Sequence, residues 1–141
     1  MTRISLAQAN TIIEAAFAKA AEMNLAPLGV AVLDPGAHVV AFQRQDPSPF
    51  GRFALATGKA AGALQMGRPS RALEELSKAR PGFMASAAAN APMGMIAAAG
   101  GVLVLNQDGE VIGAVGVSGD TSDNDETCAL AGIAAAGLCS Q

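Results

Sequence analysis

The chain has 141 residues, 51% of them hydrophobic, with 9 Lys and Arg against 12 Asp and Glu for a net charge of −3. A chain of this length forms one core and rarely two, so a single domain over residues 1–141 is expected. Low charge without a basic block, no Trp, no Tyr and only five Phe exclude the electrostatic and stacking footprint of a nucleic-acid binder, and any mechanism that needs a tyrosine.

The chain starts as Met1-Thr2-Arg3-Ile4 and turns directly into an amphipathic pattern with no signal-peptide core, which predicts a cytoplasmic protein. The longest apolar stretch, 91–105, is broken by Gly94, Gly100 and Gly101 and is too short for a membrane span. Ser5-Leu6-Ala7-Gln8 has capping-box spacing, and Leu6, Ala9, Ile13, Ala16, Phe17, Ala20 and Met23 follow at helical intervals to Asn24. From Leu28 the residues become β-type to Leu33. The turn Asp34-Pro35-Gly36-Ala37 then leads into a second strand from His38 to Arg44, and strict alternation places His38, Val40, Phe42 and Arg44 on one face.

Asp46-Pro47-Ser48-Pro49 stops that strand, and Phe50 to about Met66 reads as an Ala-rich helix. Pro69-Ser70 caps a helix from Arg71 to Ala79, Pro81-Gly82 breaks it, and Phe83 to Asn90 reads as a further turn or two. Gly100-Gly101 introduces a third strand to Leu105, Asn106 to Gly109 a turn, and Glu110 to Ser118 a fourth strand. After the polar run Asp120 to Asn124, a last helix runs from Asp125 to about Leu138. The predicted order is α-ββ-αα(α)-ββ-α. This is an α+β fold with one antiparallel sheet of four or five strands, in which the first and last helices pack together. Cys128 and Cys139 would sit on one helix roughly 16 Å apart, too far for a disulfide, and are expected as reduced core residues.

Few residues offer chemistry. His38 is the only histidine, which excludes a zinc site built on several imidazoles. It reads either as a half-exposed turn residue or as a functional one. Arg44, two residues before Asp46 at a strand end, can hold a carboxylate in bidentate fashion or pair locally with Asp46, which could instead pair with Lys59. Lys59, the only charge between Arg52 and Arg68, is either an anion anchor or a solvated residue on the outer helix face. Gly113, Gly116 and Gly119 lack dinucleotide-fingerprint spacing, and the acidic run after them repels phosphate. Ser118 lies in no Gly-x-Ser-x-Gly elbow. Met84, Met93 and Met95 read either as pocket lining or as gap filler.

Taken in order, Pro27 to Gly36, Arg44-x-Asp46, Lys59-Ala60, Gly100-Gly101, Gly113-Ala114-Val115-Gly116-Val117-Ser118-Gly119 and Asp125-x-x-x-Ala129-x-Ala131-Gly132 resemble the GlcG/HbpS-like family over nearly the whole chain. The same domain closes PduO-type corrinoid adenosyltransferases. The chain departs from the family pattern at Gln45 and Pro47, where Met and Gly are frequent, and lacks the Pro common after Gly100-Gly101. The resemblance implies an oligomer that binds a small molecule, anionic in character, or haem. Arg44, Lys59, Ser118 and Asp125 would then line a pocket, with His38 as axial ligand. It also implies an alternative, a metal-independent lyase acting on a small aromatic carboxylate such as 4-hydroxylaminobenzoate, with His38, Asp46 and Glu126 moving protons. Both readings expect His38, Arg44 and Lys59 to converge on one hollow.

Overall fold

A computed structural model describes residues 2–141. The first helix, α1 (Leu6–Glu22), starts at the expected capping box. Gln8 N donates to Ser5 Oγ at 3.1 Å, and Ser5 N donates to Gln8 Oε1 at 2.9 Å. Then come β1 (Gly29–Leu33), β2 (Val39–Arg44), α2 (Arg52–Met66), α3 (Ser70–Ala79), α4 (Pro81–Ala89), β3 (Gly101–Leu105), β4 (Val111–Ser118), α5 (Ser122–Ala135) and β5 (Cys139–Ser140). The α+β order matches the sequence-based expectation. The added element is β5, whose two residues pair with the end of β3.

The sheet is antiparallel throughout, in the order β2-β1-β4-β3-β5, so β1 and β4 zip two hairpins into one sheet. Both hairpin turns therefore lie at one end of the sheet. Gly29, Arg44, Ser118 and Gly101 lie at the other. Val30, Val32, Val102, Val104, Val115 and Val117 bury one face against Ile12, Ile13 and Ala16 of α1 and Cys128, Ala129 and Ile133 of α5. Leu33, Leu103 and Ala114 bury the other face against Ala60, Ala61 and Ala63 of α2. The result is three layers, with β1 buried on both sides. Alanines let α2 lie close to the sheet, and Gly116 completes the fit, since a Cβ there would run into the Ala56 carbonyl.

Three expectations need correction. The strand alternation fails because Val32 pairs with Ala41 while Leu33 pairs with Val39, which leaves Val40 as an extra, bulged residue. Phe42 and Arg44 consequently share the α2 face with Val39, whereas Val40 and Ala41 pack against the core under α1. The last helix ends at Ala135, with Gly137 in the left-handed region at φ 72°, so Cys139 leaves the helix for β5. Cys128 is buried and Cys139 exposed. Finally, Phe83 to Asn90 belongs to a fuller helix that Pro81 opens, while α3 ends at Ala79 as the Pro81-Gly82 break predicts.

Candidate functional site

Lys59 is not the solvated residue of one sequence reading, being 4% exposed. Its Nζ donates to Val117 O at 2.9 Å and to Asp125 Oδ2 at 3.0 Å, a buried ion pair that ties α2 to α5 around the end of the sheet. Asp125 Oδ1 in turn accepts from Asp120 N at 2.9 Å. Burial pushes the Asp125 carboxyl above the usual carboxylate range, against the pull of the Lys59 ammonium and the Asp120 and Gly119 N–H groups. Gly100 makes room for this pair. Its φ is 128°, and a Cβ there would lie 3.0 Å from Lys59 Nζ and 2.7 Å from Val117 O.

A row of residues crosses the sheet beside this pair. Arg44 pairs with Gly29, and Gly29 with Ser118, all facing α2. Over the row sits Arg52, the first residue of α2. Its Cβ lies 2.9 Å from where a Cβ on Gly29 would stand, and its Nε is buried with no hydrogen-bond partner among the described residues. Phe42 and Phe53 meet edge to face next to it, centroids 4.9 Å apart.

His38 lies elsewhere. It sits on the turn at the hairpin end, with six residue steps of strand between it and Arg44, roughly 20 Å. The common hollow expected for His38, Arg44 and Lys59 therefore does not form. The His38 ring, 74% exposed, holds Nδ1 3.3 Å from Asp34 Oδ1. That carboxylate also accepts from Gly36 N at 2.9 Å and His38 N at 3.0 Å. Burial raises the Asp34 pKa, but those N–H groups and the His38 ring outweigh it and hold the carboxyl below its usual value. Beside the turn are two adjoining hollows of about 280 and 260 Å³ that share Ala37, Pro92 and Met93, the first also lined by Val39, Phe53 and Thr57. Of the three methionines singled out in the sequence, Met93 lines these hollows and Met84 is buried.

The proton-moving residues of the lyase reading are likewise dispersed. Asp46 is exposed beyond the far end of β2. Glu126 is held by Arg71, whose Nε donates to its two oxygens at 3.0 and 3.1 Å, while Arg71 Nη2 donates to Asp123. Donating hydrogen bonds to these carboxylates, Asp123 first, raises the Arg71 pKa. The acidic start of α5 is thus neutralised by α3, a pairing 52 and 55 residues apart that local pattern could not reveal. Among the described residues no cluster of three or more His, Cys, Asp or Glu is placed to hold a metal ion, and no helix is long and apolar enough to cross a membrane.

Comparison with known proteins follows the same fold. Klebsiella pneumoniae protein ORFY is 27% identical, with 95% of this chain and 90% of that chain covered and a TM-score of 0.84. A double mutant of HbpS from Streptomyces reticuli is 26% identical, with coverage of 95% and 87% and a TM-score of 0.81. The PduOC:haem complex shares the fold at 22% identity, a TM-score of 0.85 and 97% coverage of both chains. No curated protein sequence matches the chain at a significant level. Residues 4–134 match the family model described as haem degrading protein HbpS-like. With this match spanning most of its length, the chain belongs to the HbpS-like family.

Proposed function

We propose that this protein is a haem-binding member of its family and that haem docks over the β1–β2 turn. One observation carries this. The only imidazole of the chain stands at that turn with Nδ1 turned to Asp34, and Gly36 and Ala37 of the same turn line two adjoining, largely apolar hollows. With Nδ1 turned to Asp34, Nε2 is left available to bind an iron. Haem, when bound, supplies an iron that takes such a nitrogen. The chain supplies the orienting carboxylate, the apolar walls Val39, Phe53, Pro92 and Met93, and the rigid hairpin that carries His38. Family membership and the haem complex of a protein of the same fold support the reading.

Self-association belongs to the same proposal. One free edge of the sheet is β2, and Phe50, on the segment that leaves it, is 86% exposed. Light scattering of the purified protein should show a mass above that of one chain. Haemin titration tests the ligand. A saturable Soret shift is expected for the wild type and a changed band position with weaker binding for His38→Ala. A Soret band unaltered by that substitution would remove His38 from the iron.

A further inference from the structure

The walls of the two hollows beside the His38 turn carry a further donor atom. They include Gly36 and Ala37, the two residues before His38, and Pro92 and Met93 from the segment between α4 and β3. Gly36 lies against the imidazole, since a Cβ there would stand 2.9 Å from His38 Cε1 and 3.0 Å from Nδ1. The lining side chains are aliphatic or aromatic except at Thr57, Gln65 and Met93. The Thr57 hydroxyl donates to Phe53 O at 2.6 Å. Gln65 Nε2 donates to Gly94 O at 2.7 Å and to Ala61 O at 3.1 Å, and the amide oxygen left to it is a hard donor that suits magnesium or calcium better than haem iron. The Met93 thioether is a soft donor of the kind that haem iron takes.

The chain also fixes the backbone that carries this sulfur. Met93 sits in a turn closed by Gly94 N, which donates to Ala91 O at 3.2 Å. That turn is fastened to α2 twice, through the Gln65 bond to Gly94 O and through Ile96 N, which donates to Gly58 O at 3.1 Å. A side chain left 43% exposed on a backbone held this way fits a group that completes its contacts when a ligand binds. We propose that Met93 Sδ is the second protein ligand of the haem iron, His38 being the first. The inference rests on the haem reading above and adds the donor for the other axial position. An imidazole and a thioether together leave the iron no open position for O2 or peroxide, and they raise its potential.

Haemin titration of the full chain, followed by optical and proton NMR spectra, tests it. The wild-type complex should be six-coordinate and low-spin, with the weak far-red band that ferric haem shows under thioether ligation. Once reduced, it should show one methionine methyl signal moved far upfield by the haem ring. Met93→Leu keeps the side-chain volume but has no sulfur. That variant should still bind haemin through His38, lose both the far-red band and the upfield methyl, and reduce at a lower potential than the wild type. Met95→Leu, altered at a side chain that lies against Gly62 of α2, should match the wild type. Haem held by His38 with the same spectra in Met93→Leu and wild type would overturn the assignment of Met93 and leave the haem reading standing. Absence of saturable haemin binding by the wild type would overturn both.

Discussion

Replacing Lys59 by Met isolates the buried ion pair, since Met fills a similar volume without the charge. Lys59 and Asp125 are 4% and 1% exposed, so their substitution cannot be compensated by bulk water. Breaking one side of such a pair costs about 3–5 kcal/mol, most of it the penalty of a lone buried charge. For a domain of this size, about 3 °C of Tm per kcal/mol converts this to a fall of roughly 10–15 °C. The pH dependence carries more information. Burial already raises the Asp125 carboxyl, and Lys59 is the main force pulling it back, so Lys59→Met lets it rise further. A carboxyl raised in the folded state binds its proton more tightly there than in the unfolded chain, so stability falls as pH climbs through the interval between the two values. The deficit of Lys59→Met against wild type should therefore be smallest near pH 4, where Asp125 is protonated, and largest near pH 7. Asp125→Asn added to Lys59→Met should recover much of the loss at pH 7 and flatten the profile. Denaturant titrations of the three proteins at pH 4, 5.5 and 7 measure this. A Lys59→Met deficit below about 1 kcal/mol, or one that does not change with pH, would refute the account of Asp125 as a charge held by Lys59.

Two further outcomes follow from packing and burial. Gly116→Ala drives a methyl group against the Ala56 carbonyl and must push α2 off the sheet, so calorimetry should show a loss of about 1–3 kcal/mol with the fold retained. The Cys128 thiol is pushed up to about 11, first by burial and then by the charges of Asp125 and Asp120, while Cys139 is exposed. A thiol reagent at pH 8 should accordingly modify Cys139 in the native protein and both cysteines only after unfolding. Rapid native modification of Cys128 would contradict its place in the core.

What local sequence could determine here is set by short-range geometry. The capping box at Ser5, the turn from Asp34 to Ala37, the turn from Asn106 to Gly109 and the apolar periods between them specify helices and hairpins, because each depends on residues a few positions apart. The element order and the antiparallel hairpins were legible for that reason. The site was less legible. Adjacency of Arg44 to Asp46 and the unusual placement of Lys59 could be seen, but not that Asp125, 66 residues away, would meet Lys59 behind a glycine. Arg52 broke a local rule that could have been noticed, a cation opening a helix with no acid in its first turn, but its unpartnered Nε emerges only when α2 is laid on Gly29. Tertiary structure alone decided the pairing of β1 with β4, which joins the hairpins and sets both turns at one end. It also decided the bulge at Val40, which changes the face on which Arg44 stands. Strand register and helix docking are chosen by the total burial of both faces of the sheet, a sum over distant residues. For that reason Val40, expected on one face with Phe42, packs instead against the core under α1.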